Sequence, residues 1–461
     1  MSIVGAFIVP HPPIILPEIG KGEERKIRKT TDAYQEVAHR VAQLKPDTIV
    51  LTSPHAVMYA DYFHISPGEK ARGDMRRFGA PEVELRAAYD VEFVQAITTA
   101  AGQAGIPAGT MGEREKALDH GTMVPLYFIN QCDTAYKLVR MGFSSLPPME
   151  HYRFGMCIAE AAEQLGRRTV LIASGDLSHK LKPDGPYGFA AEGPAFDAQA
   201  TAAMAEGNFL QFLQFDGAFC EAAAECGLRS FQMMAGALDG KAVEPELLSY
   251  EGPFGVGYGV ASFSVLGRDD SRCFGKIYER EQRALLEQAK EAEDPYVRLA
   301  RYALETYIKT GKRAERPQGL PEKMTACAAG VFVSLKKDGQ LRGCIGTIEP
   351  DTDCIADEIM RNAVSSGTQD PRFDPVAERE LDQLIYSVDV LGEAEPVSSV
   401  EELDAQRYGV IVSKGWRRGL LLPNLEGVST PQQQISIALE KACIRSTEDY
   451  RIERFEVVRH R

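Results

Sequence analysis

The chain has 461 residues, of which 44% are hydrophobic and 26% are charged, and its formal net charge is −14. This composition is typical of a globular protein, and the length predicts two or three domains. The excess of acidic residues argues against a nucleic acid as a partner. No apolar run reaches about 18 residues and no basic segment precedes the first strand, so we expect neither a membrane span nor a signal peptide. The nine cysteines form no Cys-x-x-Cys pair, which predicts reduced thiols and a cytoplasmic location.

The first predicted element is a buried strand that ends at a histidine. Residues 3–9 are apolar or glycine and lead into Pro10-His11-Pro12-Pro13. A short apolar run closed by prolines is typical of a fully buried strand, and the prolines stiffen the loop that carries His11. His11 is therefore predicted at the carboxyl end of a strand, where α/β sheets bind their ligands.

The following elements alternate between helices and strands. The apolar spacing predicts a helix at 24–44, a strand from residue 47, a helix at 91–104, a strand at 136–143, a helix at 152–165 and a strand from residue 168. This alternation is typical of a largely parallel sheet with helices on both faces. We therefore predict an α/β fold for this part of the chain.

Three further histidines lie beside these elements. His55 follows the second strand, His179 follows the strand that begins near residue 168, and His120 lies between an acid and a glycine just before an apolar segment. Together with His11, they make half of the chain's eight histidines. We expect the four to converge on one edge of the sheet, and converging imidazoles suit metal binding and proton transfer.

These histidine motifs resemble the class III extradiol dioxygenases of the protocatechuate 4,5-dioxygenase type, and in particular the MEMO branch of that superfamily. The resemblance covers about residues 1–267 and rests on Pro10-His11-Pro12-Pro13, Ser53-Pro54-His55, Asp119-His120-Gly121 and the run from Ser174 to His179. It implies that His11 and His55 bind Fe(II), that His179 is the acid/base, and that His120 contacts substrate or oxygen. It also implies ring cleavage with O₂.

The third metal ligand is the point of departure from the main family, which has a glutamate there. Counting back from Gly236 gives Cys226, and Glu225 is one residue away; the MEMO branch is similar in having a cysteine followed by glycine. Two histidines with a carboxylate suit Fe(II), whereas two histidines with a thiolate also suit Cu or Zn. Cys226 and Glu225 are both kept as candidates, with Glu221 behind them. The plain alternative is that Cys226 is a small buried apolar residue.

A second domain is predicted after a polar stretch. We place the first domain at 1–267, a linker at 268–275 and the second domain at 276–461. The second domain begins with a helical segment broken near Pro295, and two apolar runs joined at Asp338-Gly339 predict a hairpin. Its return strand carries Cys344, which is either an activated thiolate or a small residue where backbones approach closely.

The return strand also carries a second family resemblance. Leu-Arg-Gly-Cys-Ile-Gly-Thr at 341–347, with the stretches at 369–375 and 386–391, resembles the AMMECR domain. That family is α+β with a small antiparallel sheet, so the predicted chain is an α/β domain followed by a smaller α+β domain. Asp374 departs from the family pattern. The fusion resembles systems that accompany a radical-SAM protein, which implies such a protein as a partner in a shared pathway.

Three functions stay open from the sequence. The first is a metal-dependent oxidoreductase that acts with O₂ on a catechol or other small aromatic substrate. The second is a non-catalytic binding or adaptor protein, and the third is a copper-redox protein that uses His11, His55 and Cys226. A histidine placed as His179 favours the first over the second, because a binding cleft needs no general base. The sequence leaves the substrate and the oligomeric state open.

Overall fold

The structure is a computed structural model that describes residues 2–132, 135–337, 339–425 and 427–461. The chain divides into two compact units, Met1–Arg280 and Glu281–Arg461. The division lies within a helix, Phe274–Ala292, and the residues predicted as a linker include a 3₁₀ turn, Asp270–Arg272. The boundaries predicted from the sequence, with a linker at 268–275, are therefore kept as a prediction. Among the described residues, every helix is too short or too polar to cross a lipid bilayer.

Among the residues that the structure describes, the first unit contains ten strands and most of the helices. Its strands are β1 (Ile3–Val9), β2 (Thr48–Thr52), β3 (Phe63–His64), β4 (Lys70–Met75), β5 (Ala80–Ala88), β6 (Ala108–Gly109), β7 (Lys137–Met141), β8 (Thr169–Ser174), β9 (Lys241–Glu251) and β10 (Tyr258–Arg268). Its helices are α1 (Pro17–Gly20), α2 (Arg28–Leu44), α3 (Val91–Gln103), α4 (His120–Ile129), α5 (Pro148–Leu165), α6 (Glu192–Glu206), α7 (Phe209–Gln214), α8 (Gly217–Ala223), α9 (Leu228–Ala237) and α10 (Phe274–Ala292), which crosses the division.

The main sheet has the order β7-β2-β8-β1-β10-β9. The first four strands are parallel, and β10 and β9 are added in antiparallel pairings. Alternate residues of β8 pack on opposite faces: Val170 and Ile172 lie in one apolar cluster with α2 and α4, and Leu171 and Ala173 lie in another with α3, α5 and α9. A strand that is buried on both faces needs apolar residues throughout, which confirms the predicted α/β fold.

The three central strands end at the same edge of this sheet. Val9 at the end of β1 pairs with Ser174 at the end of β8, and Thr52 at the end of β2 pairs with Ala173. The loops that follow these strands therefore leave the sheet side by side. The side chains that these loops carry are brought together at this edge, as the sequence pattern predicts.

The described part of the second unit has seven further strands and four further helices. They are α11 (Pro295–Thr310), α12 (Glu322–Ala326), β11 (Val331–Lys337), β12 (Gln340–Gly346), α13 (Ile355–Thr368), β13 (Leu384–Leu391), β14 (Glu395–Pro396), β15 (Tyr408–Lys414), β16 (Arg417–Leu421), α14 (Pro431–Lys441) and β17 (Arg451–His460). The sheet order is β12-β11-β13-β17-β15-β16, with β14 paired to β17, and the pairings are antiparallel. This confirms the predicted α+β fold.

The predicted hairpin and helix break are both present in the second unit. β11 and β12 pair as an antiparallel hairpin, although Asp338 of the predicted turn lies outside the described residues. β11 begins at Val331, and the short helix Glu322–Ala326 precedes it. Pro295 opens α11, and the Asp294 side chain caps that helix by accepting hydrogen bonds from two backbone N–H groups.

Candidate metal centre

Two histidines from neighbouring loops meet at the carboxyl edge of the main sheet. His11 follows β1 and His55 follows β2, and their Nε2 atoms lie 3.0 Å apart. The rings are nearly perpendicular, with an interplanar angle of 87°. His11 is buried, whereas His55 is exposed. The two predicted metal ligands therefore present the same ring atom to a shared point that is reached from solvent on the His55 side.

A serine at the end of β8 determines which nitrogen of His11 is free. The Ser174 hydroxyl donates to the Gly121 carbonyl oxygen at 2.6 Å, so its own oxygen accepts from His11 Nδ1, 3.0 Å away. The hydrogen-bond pattern thus assigns the proton to Nδ1 and leaves a lone pair on Nε2. The backbone N–H of His11 donates to Asp176 Oδ1 at 2.7 Å, which fixes the loop.

His120 is the first residue of α4, so the apolar segment after it is a helix. Asp119 caps this helix by accepting from the Thr122 backbone N–H at 3.0 Å, and it accepts from the Ser53 hydroxyl at 2.6 Å. The ring centroids of His55 and His120 are 3.9 Å apart. Ligand atoms of His11, His55 and His120 all lie within 4.8 Å of one another, which makes them a group able to hold a metal ion.

The cluster favours neutral imidazoles. Burial, followed by the charge of His55, lowers the pKa of His11 to about 3. Burial and the neighbouring histidines lower the pKa of His120 to about 3, and burial also lowers the pKa of His55. A neutral imidazole is the form that binds metal ions.

The two candidates for the third ligand have different surroundings. Cys226 Sγ lies 3.8 Å from His11 Nε2 and accepts from the Asp176 backbone N–H at 3.3 Å. The Glu225 carboxylate instead accepts from the Leu228 backbone N–H at 2.7 Å, at the start of α9. Glu221 is exposed. The geometry thus adds His120 beside Cys226 as a candidate third ligand, and it gives Glu225 a capping contact.

His179 lies in the loop after β8, and one of its two ring nitrogens is engaged in a hydrogen bond. Its Nδ1 lies 2.6 Å from the Ala224 carbonyl oxygen, which can only accept, so Nδ1 carries the proton and Nε2 is free. The Tyr187 ring stands edge-on to the imidazole at a centroid distance of 5.1 Å. A half-exposed imidazole with a fixed tautomer and a free Nε2 is able to accept a proton.

Two supporting residues escaped the sequence analysis. Arg140 is buried in β7 and donates to the carbonyl oxygens of Ala117 and Glu115 at 2.5 and 2.9 Å, so it holds the segment that leads to His120. A charged residue inside a predicted buried strand was the available signal, because such a residue needs partners. Phe78 stands edge-on to the His120 ring at 5.1 Å, and it comes from a short turn that no sequence pattern marked.

The donor set fits a single transition-metal ion. Ligand nitrogens about 2.1 Å from one ion at an angle near 90° lie about 3.0 Å apart, which is the Nε2–Nε2 separation found here. A thiolate about 2.3 Å from the same ion would lie about 3.6 Å from a ligand nitrogen at a tetrahedral angle, close to the Cys226–His11 separation of 3.8 Å. Burial and the nearby Asp176 raise the pKa of Cys226, so the thiol is protonated until a cation binds.

Comparisons with known proteins agree with this architecture. A family profile described as the catalytic LigB subunit of aromatic ring-opening dioxygenase matches residues 5–261, and one described as AMMECR1 matches residues 297–460. Protein CA_C1420 of Clostridium acetobutylicum is 45% identical over 469 residues that span all of both chains. A protein of Thermotoga maritima is 49% identical over 171 residues, which are 37% of this chain and 98% of the relative.

Two solved structures are also similar to parts of the chain. Uncharacterized protein JW3007 from Escherichia coli K12 is 16% identical and covers 56% of this chain and 99% of its own, with a TM-score of 0.37. Uncharacterized protein PH0010 from Pyrococcus horikoshii is 33% identical and covers 36% of this chain and 88% of its own, with a TM-score of 0.34. On the two profile matches and the full-length relative, the chain belongs to the family of the catalytic LigB subunit of aromatic ring-opening dioxygenases, MEMO-like in its first unit, and carries an AMMECR1 domain in its second.

Proposed function

We propose that the first unit is a metal-dependent oxidoreductase of the extradiol-dioxygenase type, which acts with O₂ on a catechol or another phenolic substrate. The observation that carries the proposal is the convergence of His11 Nε2 and His55 Nε2 at 3.0 Å, beside a third candidate ligand. Fe(II) is the proposed metal because the resemblance to extradiol dioxygenases implies it; His11 and His55 would supply the two imidazoles, and His120 or Cys226 stands where that family has a carboxylate. A bound metal of this kind supplies electron transfer between an aromatic substrate and O₂.

The residues around the metal ligands supply binding and proton transfer. His179 accepts the phenolic proton at its free Nε2, and its Nδ1–H bond to the Ala224 carbonyl keeps the ring oriented. The edges of Phe78 and Tyr187 stand beside His120 and His179, and both aromatic side chains are exposed, so they are available to contact an aromatic ring. Asp176 holds the His11 loop and contributes no ligand in this proposal.

A copper-redox function is the second candidate. Cys226 Sγ lies 3.8 Å from His11 Nε2, and a thiolate with two imidazoles is a softer donor set that suits Cu(I) and Zn(II). In this case the thiol loses its proton when the metal binds, and no general base is required. The two candidates therefore differ in whether His179 matters.

The deciding experiment begins with full-length protein purified without oxygen. Its metal content is measured directly, and the protein is then loaded with Fe(II), Cu(I) or Zn(II) in separate samples. Each sample is offered a panel of catechols and phenols, and O₂ uptake is recorded with isotopically labelled O₂. The proposal expects uptake with the iron form alone and both labelled oxygen atoms in the product. Tight metal binding without uptake would favour the copper candidate, and no metal binding would favour a binding or adaptor protein.

A radical-SAM protein remains the proposed partner. The support for it is the resemblance of the two-domain fusion to systems that include such a protein. Co-purification of the full chain with a radical-SAM protein from the same source tests this part. The expected result is a complex at equal stoichiometry, or transfer of a product of one protein to the other as substrate.

A further inference from the structure

The sheet of the second unit has a second face that carries a small apolar cluster, in which Phe332 and Ile348 pack against a buried group that includes Leu420. Along β11 the alternate residues Val331, Val333 and Leu335 are buried in the core of this unit, whereas Phe332, Ser334 and Lys336 lie on the other face. Side chains alternate between the two faces of a strand, so one face of the sheet packs against helices, whereas part of the other face is left open beside its apolar cluster.

This open face lines a cleft of about 1160 Å³. Its walls carry eight lysine or arginine side chains, of which five form ion pairs with carboxylates, and Cys344 of β12 lies among them. The remaining wall is largely apolar and includes Phe332, Ile348 and Leu420. A mostly apolar cleft with a few polar groups on one part of its wall is the usual form of a small-molecule site.

The cations near Cys344 are only partly neutralised. Arg372 pairs with Asp370 at 2.6 Å, and Arg459 pairs with Asp389 at 2.7 Å. Lys441 has no carboxylate within 4 Å among the described residues, and its amine donates only a long bond of 3.4 Å to the Leu420 carbonyl oxygen. Desolvation lowers the pKa of Lys441, and the charge of Arg372 contributes in the same direction. The positive charge of Lys441 is therefore held without a carboxylate partner, at a position where water solvates it poorly.

Two further cations of the cleft have donors without a protein acceptor. Lys336 is exposed and has no carboxylate within 4 Å among the described residues, and the Nε–H of Arg418 is buried without a hydrogen-bond acceptor, although its terminal nitrogens pair with Glu349 and Glu453. A buried donor without an acceptor costs free energy in the absence of a ligand or water. The cleft thus combines hydrogen-bond donors without acceptors, cations without carboxylate partners and an apolar wall.

We propose that this cleft binds a small organic anion, with a carboxylate or phosphate group held beside Cys344 by Lys441, Arg372 and Arg459. The apolar body of the ligand lies against Phe332, Ile348 and Leu420. Carboxylates and phosphates share the property that this cluster recognises, namely a negative group that accepts several charged hydrogen bonds. The second unit is therefore a ligand-binding domain that is distinct from the metal centre of the first.

Cys344 serves as a reporter of this site. Its thiol lies 3.2 Å from the Ser334 hydroxyl and is half-buried in the cleft, whereas Cys327 of the same unit is exposed and does not line the cleft. The full-length protein is alkylated with iodoacetate, which is an anion, or with neutral iodoacetamide. Peptide mass mapping then gives the rate ratio of the two reagents at each cysteine, so Cys327 corrects for the intrinsic reactivities.

The proposal expects the iodoacetate-to-iodoacetamide ratio at Cys344 to exceed that at Cys327 by about tenfold at low salt, because uncompensated positive charge in a cleft concentrates anions. Added salt should reduce the excess. Lys441→Met should bring the ratio down towards the Cys327 value, while Lys323→Met, which changes an exposed lysine outside the cleft, should not. Equal ratios at the two cysteines, or a Cys344 that reacts with neither reagent, would overturn the proposal.

Protection of Cys344 identifies the anion. Phenyl phosphate, phenylacetate and neutral phenethyl alcohol are each added before iodoacetamide. Protection by either anion, lost in Lys441→Met, supports the site, and the anion that protects at lower concentration separates a phosphate from a carboxylate ligand. Equal protection by phenethyl alcohol would show an apolar cleft without anion recognition and would contradict the proposal.

Discussion

The Nε2 atoms of His11 and His55 lie 3.0 Å apart although 44 residues separate the two histidines in the chain. They leave the sheet from β1 and β2, which are not neighbours but flank β8 on either side. Ser174, at the end of β8, accepts a hydrogen bond from His11 Nδ1. The central strand therefore both spaces the two ligands and sets the protonation of one of them.

Replacing either of these histidines should remove the metal. His11→Ala or His55→Ala leaves too few ligands to hold an ion against water. Metal content after anaerobic loading and desalting measures the loss, and His39→Ala, which changes an exposed histidine on α2, is the matched control. Full metal content in His11→Ala would rule out the assigned centre.

The same measurement distinguishes the candidates for the third ligand. Cys226→Ser should lose the metal if the thiolate binds it, and His120→Ala should lose the metal if the imidazole does. Glu225→Gln should keep the metal in both cases, because the Glu225 carboxylate is occupied by the Leu228 backbone N–H. Loss of metal in Glu225→Gln alone would instead restore the two-histidine-one-carboxylate set.

His179 should be needed for turnover but not for metal binding. His179→Ala removes the free Nε2 and should lower turnover of an identified substrate by roughly 10²–10⁴-fold, the usual contribution of a positioned proton-transfer group. Its metal content should equal that of the unchanged protein. If His179→Ala is as metal-free as His11→Ala, the centre is a histidine site in which His179 is a ligand, and hydrolysis at a zinc-bound water becomes the better interpretation.

Ser174 should control metal affinity through His11. Ser174→Ala removes the oxygen that accepts from His11 Nδ1, so the ring is no longer held in one tautomer and orientation. Loss of such a supporting hydrogen bond costs about 10–100-fold in metal affinity. Competition with a chelator measures the change, and the exposed Ser145→Ala should bind metal normally. An unchanged affinity would mean that packing alone orients His11.

Asp197 should make the stability of the first unit depend on pH. Its side chain is buried and accepts from the Ser178 backbone N–H and the Tyr250 hydroxyl, and burial raises its pKa to about 6 from 3.8. The folded state therefore holds the proton more tightly than the unfolded state. This contribution to stability is complete below pH 3.8 and is lost as the pH rises through 6.

Asp197→Asn replaces the ionising group with a neutral amide of similar shape. The variant should gain about 1–3 kcal/mol in the free energy of unfolding relative to the parent at pH 8, and little at pH 4. Pulse proteolysis in urea at the two pH values measures the difference, with the exposed Asp184→Asn as control. An equal effect at both pH values would mean that Asp197 acts through hydrogen bonding alone.

Limited proteolysis should separate the two units. We predict cleavage between about residues 266 and 276, and two fragments that each unfold cooperatively, because each unit has its own apolar core. Mass spectrometry locates the cut, and melting of the purified fragments tests their independence. A cut inside α10 near residue 280 would agree better with the division of the chain into two compact units after Arg280. A chain that melts as one unit would contradict independent domains.

The sequence by itself determined the fold class and the general position of the candidate metal centre. A run such as that in β8, apolar from Val170 to Ala173, is typical of a strand buried on both faces, and residues that follow such strands lie at one edge of the sheet. This is local information, because it depends on the spacing of apolar residues and on the prolines that end the strands. His11 and His55 could therefore be selected before any contact was known.

Only the tertiary structure decided how the side chains around these histidines are used. Ala224 ends α8 with a positive φ of 52°, and this turn places Glu225 at the start of α9 and Cys226 against His11. Counting along the sequence could not decide which of Glu225 and Cys226 lies against His11. If α8 ended one residue earlier or later, the two residues would exchange positions. Where that helix ends depends on packing against the rest of the unit, so the environment of the third ligand position is a property of the fold and not of the local sequence.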